Sequence, residues 1–286
     1  MNQSEALRVD SHQHFWQIAR GDYGWLSPTL TELYRDFEPD DLRPLMAEAR
    51  IDRTVLIQAA PTVAETVYLL DIADRTHFVA GVVGWIDMEA DDALDTLERF
   101  SNNPWFKGIR PMIQDIRDPD WMLRRSLSGV FDALAELDLS LDALVLPEHL
   151  PTLLTLLGRH PGLRIVIDHG AKPHIAEAVI QPWQDDMRAI AKETSAYCKL
   201  SGLVTEAGSR GSPGGLQPYV DCLLESFGAE RLMWGSDWPV LMLADDYAGW
   251  VAKSESMLAR TTDRDIEQIF GLTACRFYRI DRDPRG

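Results

Sequence analysis

The sequence predicts a single-domain α/β protein over residues 1–286, a TIM-type (β/α)8 barrel of parallel strands. Eight short, almost continuously apolar segments recur along the chain, as is typical of parallel strands that are covered on both faces. Stretches with helical spacing of apolar residues separate these segments. The alternative, a doubly wound open sheet, is disfavoured because no Gly-x-Gly-x-x-Gly motif follows the first strand.

The first predicted strand is the stretch Val9-Asp10-Ser11-His12-Gln13-His14. Side chains alternate along a strand, so His12 and His14 are expected to share one face. Two imidazoles on one face can hold a metal ion or grip a carbonyl group. The other strands are predicted at 54–58, 78–87, 106–111, 139–146, 163–169, 197–201 and 231–237.

The helices are located by apolar residues at spacings of three and four. The first helix follows Pro39-Asp40-Asp41, where aspartate suits the N-cap, and a long aromatic-rich loop separates it from the first strand. A Gly/Ser/Pro-rich loop is predicted at 204–217. The remaining helices are predicted at 65–73, 90–100, 130–137, 150–159, 180–194, 219–227, 247–258 and 263–270.

Composition excludes some classes of function. The chain has 28 Lys and Arg against 45 Asp and Glu, and the net charge of −17 disfavours a nucleic-acid or anionic-membrane partner. Three cysteines without metal-like spacing favour a reducing compartment, so a cytoplasmic location is expected. The first eight residues are polar, and no apolar run is long enough to predict a signal peptide or a membrane span. A homo-oligomer is left open.

Polar residues end several of the predicted strands, at the edge where α/β barrels carry their active sites. A buried polar side chain needs a partner, so their convergence indicates a functional site. The seven positions are His12, His14, Gln58, Arg110, His169, Ser201 and Asp237. Plainer interpretations stay open: Gln58 as a structural hydrogen-bonding residue, Ser201 as a strand cap, Arg110 in a surface ion pair, and Asp237 as a cap or as an ion-pair partner of a neighbouring histidine.

Alternation along the strands also gives weaker expectations. Asp168 is expected to point away from the barrel axis if His169 points toward it. Gly235, on the same face as Asp237, is expected to leave room for water or substrate. Lys107 and Lys199 are weaker candidates than Arg110.

Five segments, VDSHQHFW, KGIRPMIQD, VIDHGAKP, CKLSGLVTE and MWGSDWPV, together resemble the amidohydrolase superfamily. Within it they are similar to the L-fuconolactonase-like branch of sugar-lactone hydrolases, whose relatives act on rhamnonolactone, sulfomuconolactone and pyrone-dicarboxylate lactones. The resemblance runs from about Val9 to Tyr278.

The resemblance implies roles for the strand-end residues. It makes His12, His14 and Asp237 metal ligands, Asp237 also the general base for water, and His169 a further site histidine. Arg110 stands where binuclear members have a bridging lysine or acid, and the fifth and seventh strands lack histidine. The implied cofactor is therefore at most one divalent ion, zinc first, and a metal-free site is the alternative.

The expected reaction is the opening of a small sugar lactone to the aldonic acid. Asp237 would activate water, His169 and the His12–His14 pair or a metal would polarise the carbonyl, and Arg110 would bind substrate oxygens. The expected substrate-binding residues are Trp16, Tyr23, Trp25, Gln58, Arg110, Ser201 and Trp238, with core packing as the competing role of the aromatic ones.

Three other functions remain open at this point. One is a metal-dependent decarboxylase of the same superfamily, although neither Asp10 nor Gln13 supplies a clear additional ligand beside the histidine pair. Another is a hydrolase of a non-sugar lactone, such as a muconolactone or a pyrone. The last is a non-catalytic sugar-acid binding protein, which has no need of a base such as Asp237 aimed at its ligand.

Overall fold

The computed structural model describes residues 6–280, and its centre is one sheet of eight parallel strands paired in sequence order. A parallel bridge between Gln13 and Trp238 joins the first strand to the residues that follow the last. The predicted barrel is therefore confirmed. The strands are Val9–Gln13 (β1), Arg53–Ile57 (β2), Val79–Gly84 (β3), Phe106–Ile109 (β4), Ser140–Ala143 (β5), Arg164–Ile167 (β6), Tyr197–Leu200 (β7) and Leu232–Trp234 (β8).

Several strands end earlier than the sequence predicted. β6 stops at Ile167 and β8 at Trp234, and shortly after these ends the backbones of His169 and Asp237 lie in the left-handed region, with φ of 54° and 58°. A residue in that region cannot continue an extended strand. Two of the predicted site residues therefore lie on tight turns just beyond their strands.

Ten α-helices occur in the described residues: Pro39–Ala49 (α1), Val63–Arg75 (α2), Ala93–Ser101 (α3), Ser128–Glu136 (α4), Leu150–Arg159 (α5), Trp183–Glu193 (α6), Pro213–Phe227 (α7), Tyr247–Met257 (α8), Asp263–Glu267 (α9) and Thr273–Tyr278 (α10). α7 begins six residues before the predicted 219, with Pro213 in the first turn, where a missing amide hydrogen costs nothing. The predicted helix 263–270 is interrupted by a π-helical turn at Gln268–Leu272.

The core has two parts. A large cluster packs the outer faces of the strands against the helices, and a second, smaller cluster joins strand residues such as Val55 and Met233 to Phe277 and Tyr278 of α10. The Tyr278 hydroxyl donates to Oδ2 of the buried Asp142 on β5 at 2.5 Å. The C-terminal helix thus contacts a charged group inside the barrel.

Within the described residues, no helix combines the length and the apolar character that crossing a bilayer requires. The predictions that concern residues 1–5 and 281–286 fall outside the described residues.

Candidate active site

A cavity of about 180 Å³ opens at the carboxyl ends of the strands. Four of the seven strand-end residues, His14, Arg110, His169 and Asp237, line it. This is the end of the barrel at which (β/α)8 enzymes carry their sites. The remaining lining residues are Trp25, Ala59, Met112, Gln114, Asp115, Leu144, Lys172 and Val240.

Three histidines and one carboxylate converge at the base of this cavity. His14 Nε2 lies 3.2 Å from both His12 Nε2 and Asp237 Oδ1. Asp237 Oδ1 is also 3.6 Å from His12 Nε2 and 3.9 Å from His169 Nε2. Ligands about 2 Å from a tetrahedral zinc ion lie roughly 3.3 Å from one another, so the spacing suits one such ion.

The sequence placed the metal between His12, His14 and Asp237, with His169 as a further candidate. The structure brings His169 fully into the cluster: ligand atoms of His12, His169 and Asp237 all lie within 4.8 Å of one another. His14 Nε2, at 3.2 Å, lies closer to Asp237 Oδ1 than the ring nitrogens of His12 and His169 do. His12, His169 and Asp237 are therefore close enough to share one ion, and His14 lies beside Asp237.

The contacts of the two ring nitrogens of His14 support a cation at this position. His14 Nδ1 lies 2.9 Å from the carbonyl oxygen of Ile57, to which it can only donate. Its Nε2 therefore carries a lone pair in the neutral ring, and this lone pair faces the carboxylate of Asp237. Two acceptors at such a distance repel each other unless a cation lies between them, so the residues fit a bound metal.

Burial sets the charge of the site. It lowers the pKa of His12 and His14, and lowers that of His169 to about 4, which favours the neutral, metal-binding form of each ring. Burial alone would raise the pKa of Asp237, but the neighbouring histidines, His169 foremost, bring it below the usual range. Asp237 is thus held as a carboxylate.

Asp10 positions the turn that carries Asp237. Its Oδ1 accepts hydrogen bonds from the backbone amides of His12 at 3.1 Å and Ser236 at 2.8 Å, and the Tyr247 hydroxyl donates to its Oδ2 at 3.0 Å. Burial raises the pKa of Asp10 to about 6. Sequence reasoning did not identify this role, because Asp10 was considered only as a metal ligand.

Asp168 points toward the centre of the barrel, contrary to expectation. Its Oδ1 lies 2.9 Å from Lys199 Nζ and 3.5 Å from His12 Nδ1, and its Oδ2 is 3.5 Å from Arg110 NH1. Alternation along β6 continues through Asp168, which shares a face with the inner-cluster residue Val166, and the left-handed backbone of His169 brings the next side chain into the site as well. Lys199, which was ranked below Arg110, is likewise central to the site.

Three of the four aromatic residues that were predicted to bind substrate lie in the core instead. Trp16 and Trp238 are buried, and both pack edge-on against Phe37 with ring centroids 5.2 Å apart. Tyr23 is also buried and is absent from the cavity lining. Trp25 does line the cavity, and its indole N–H donates to the carbonyl of Ala59 at 2.8 Å.

Gln58 and Ser201 contact other site residues. Gln58 Nε2 donates to the Arg110 carbonyl at 2.7 Å, and the Arg110 guanidinium donates to the backbone oxygen of Gln58 in return. Ser201 Oγ lies 2.8 Å from His169 Nδ1. Both residues therefore fix the orientation of a cavity-lining side chain, and neither lines the cavity itself.

Gly235 makes room for a histidine, whereas water or substrate was expected there. A Cβ atom at this position would lie 2.8 Å from the Cβ of His12. Only glycine allows the chain after β8 to approach β1 this closely. Lys172, three residues after His169, is a lining residue that the sequence analysis did not single out.

Comparison with known proteins identifies relatives over nearly the whole chain. The profile of the amidohydrolase family matches residues 9–280. An L-fucono-1,5-lactonase of Burkholderia ambifaria is 48% identical over 284 residues, which are 98% of each chain. An L-fucono-1,5-lactonase of Burkholderia multivorans is 34% identical and covers 96% of this chain and 97% of its own length.

Comparison with solved structures also identifies similar proteins. The crystal structure of an amidohydrolase from Burkholderia multivorans with bound zinc superimposes with a TM-score of 0.90 and 34% identity, covering 96% of this chain and all of that one. A probable 2-pyrone-4,6-dicarboxylic acid hydrolase from Acinetobacter baumannii reaches a TM-score of 0.80 at 14% identity, which shows a shared fold alone.

Proposed function

The chain belongs to the amidohydrolase family, and on that premise we propose that it hydrolyses L-fucono-1,5-lactone, or an aldonolactone very like it, to the open aldonic acid. The observation that carries this proposal is Asp237, an ionised carboxylate that faces neutral histidines at the base of a small cavity. The 48% identity to a named lactonase supports the choice of substrate.

In the proposed mechanism Asp237 accepts a proton from water as the water oxygen attacks the lactone carbonyl. Arg110 donates to the oxygen on which negative charge develops, and its guanidinium is held beforehand by Gln58. The bond from carbonyl carbon to ring oxygen then breaks, and the ring oxygen takes up a proton to become the hydroxyl of the acid. Trp25 offers an apolar face to the sugar ring.

A divalent ion would be held by His12, His169 and Asp237, with His14 beside Asp237, and the chemistry it would supply there is to polarise the carbonyl and acidify water. The zinc-bound structure of the Burkholderia multivorans amidohydrolase supports zinc as the metal of this chain. In this mechanism Asp237 orients the water and Arg110 orients the substrate, so that the two can react.

The direct experiment is a pH-indicator assay of the purified protein against a panel of aldonolactones, because ring opening releases a proton. We expect turnover of L-fucono-1,5-lactone and of lactones that differ from it at one centre. Pyrone and muconolactone substrates, together with hydroxybenzoates monitored for CO2 release, complete the panel. Activity confined to one of these other classes would overturn the proposal in favour of that class.

Purified protein is expected to hold at most one zinc ion per chain. The donor atoms cluster around a single point, and the described strands β5 and β7 carry no histidine for a second ion. Elemental analysis after dialysis against zinc-containing and zinc-free buffer measures the content. Two tightly held ions per chain would contradict the proposed site.

The Gly202→Ala substitution is expected to lower kcat by roughly 10², the usual cost of displacing a site residue by about 1 Å. A Cβ at position 202 would lie 2.6 Å from Cγ of His169, so the imidazole ring has to move. Gly202 also has a φ of +65°, which costs any other residue some stability.

The matched control is Gly208→Ala, because Gly208 has a similar φ of +51° but a Cβ there would meet only Ala176, at 3.5 Å. We expect the control to share the loss of thermal stability and to keep its kcat. Equal losses of kcat in both variants would show that backbone strain, and not the position of His169, explains the effect.

A further inference from the structure

Lys199, on β7, is a buried cation that the proposed mechanism leaves without a role. Its side chain is fully enclosed, and its ammonium nitrogen lies 2.6 Å from Asp142 Oδ2, 2.9 Å from Asp168 Oδ1 and 3.1 Å from His12 Nδ1. An ammonium group has three hydrogens and no acceptor, so it can donate one to each of these atoms. Two buried carboxylates therefore lie within ion-pair distance of it.

The Nδ1 atom of His12 has two neighbours with opposite demands. Lys199, at 3.1 Å, requires this nitrogen to accept a hydrogen bond, whereas Asp168 Oδ1, at 3.5 Å, requires it to donate one. The shorter contact belongs to Lys199. When Nδ1 accepts, the single proton of the neutral ring lies on Nε2.

The surroundings of His12 Nε2 agree with a proton on that atom. It faces the lone pair of His14 Nε2 at 3.2 Å and the carboxylate of Asp237 at 3.6 Å, and both can accept it. A donor, Arg110 NH1, is also 3.4 Å away, but the same guanidinium nitrogen lies 3.5 Å from Asp168 Oδ2 and can donate there.

A metal ligand must offer a lone pair. For His12 Nε2 to bind an ion, the ring proton has to move to Nδ1 and turn toward Asp168, and Lys199 has to give up one of its three contacts. We propose that Lys199 is a positioning residue that weakens metal binding, because its ammonium group at Nδ1 holds the His12 proton on Nε2. The inference rests on the proposed metal site and is independent of which lactone is hydrolysed.

The first test reads the tautomer directly and needs no variant. Protein labelled with ¹⁵N in its histidines, freed of metal by a chelator, is studied by long-range ¹H–¹⁵N correlation NMR, with signals assigned through His12→Gln and His14→Gln. We expect His12 with its proton on Nε2 and His14 with its proton on Nδ1. A metal-free His12 with its proton on Nδ1 would overturn the inference.

The second test measures zinc affinity by competition with a chromophoric chelator in wild type and in Lys199→Met. Partners that orient metal-binding histidines usually change metal affinity by about 10–100-fold, and here we expect tighter binding by a factor in that range. The matched control is Lys172→Met, because Lys172 lines the cavity and pairs with Glu206 at 3.7 Å, yet has no described contact with His12. It should raise the affinity far less.

The possible results distinguish a specific effect of Lys199 on the His12 tautomer from a general effect of positive charge. An equal gain in Lys172→Met would mean that Lys199 acts only as one more positive charge, and unchanged or weaker binding in Lys199→Met would refute the inference. If Lys199→Met does not fold, the Asp142→Asn/Lys199→Met double variant removes one charge of each sign and takes its place. If zinc binds none of the variants, the inference is contradicted. Lactone hydrolysis by the wild-type protein tests the proposed function separately.

Discussion

Replacing Asp237 with asparagine is expected to lower kcat for lactone hydrolysis by roughly 10²–10⁴, the usual contribution of a general base. Asparagine keeps the size of the side chain and one acceptor oxygen but cannot take the proton from water. The backbone of Asp237 has a φ of 58°, a conformation that asparagine tolerates better than most residues. The fold should therefore survive the change, and steady-state kinetics beside circular dichroism measures both properties.

Asp115→Asn is the matched control for this variant. Asp115 lines the same cavity but does not belong to the cluster of histidines around Asp237. We expect it to change KM more than kcat. If a folded Asp237→Asn protein retained near wild-type kcat, Asp237 would have no part in proton transfer, and His169 would become the next candidate for the base.

Arg110→Met is the second large effect, with an expected loss of roughly 10²–10³ in kcat, as for the removal of one oxyanion donor. The Arg110 side chain is buried, and its guanidinium donates to the backbone oxygen of Gln58 and, at 3.3 Å, to the side-chain oxygen as well. These bonds fix the donor before substrate arrives, so little reorganisation is needed as charge develops. Methionine keeps much of the length and volume of the side chain without its donors.

Lys172→Met serves as the comparison, because it removes a cation from the lining of the same cavity. A specific donor at Arg110 predicts a large fall in kcat for Arg110→Met and a small one for Lys172→Met, at unchanged thermal stability in the latter. Similar losses in the two variants would instead indicate that the general positive potential of the cavity matters, and the specific role of Arg110 would be lost.

The fold and the location of the site could be predicted because both follow from simple periodicity. Apolar segments marked the strands, and parallel strands bring their carboxyl ends to one face, so His14, Arg110, His169 and Asp237 had to meet. The resemblance to a known family then supplied the chemistry. None of this depended on the conformation of individual loops.

The prediction failed where the backbone leaves the extended conformation. Alternation counted back from His169 assigned Asp168 to the outer face, but the left-handed backbone of His169 breaks the alternation there, and Asp168 points inward to Lys199. Lys199 was ranked below Arg110, and Asp142 was not considered, because only their pairing across the barrel, at 2.6 Å, shows that the two belong together. In the aromatic loop, composition alone could not separate the buried Trp16 from the lining residue Trp25.

The hydrogen bonds between β1 and the residues that follow β8 also determine when the protein becomes functional. Asp237 donates its amide to the carbonyl of His12 at 2.8 Å, and His14 donates to the carbonyl of Trp238 at the same distance. His14 and Asp237 stand 223 positions apart in the sequence. A nascent chain therefore carries one half of its catalytic apparatus from the start of synthesis but cannot assemble it until the last strand has left the ribosome. In refolding, the return of turnover would mark ring closure, a contact of very long sequence separation, whereas recovered helicity would report only earlier, local events.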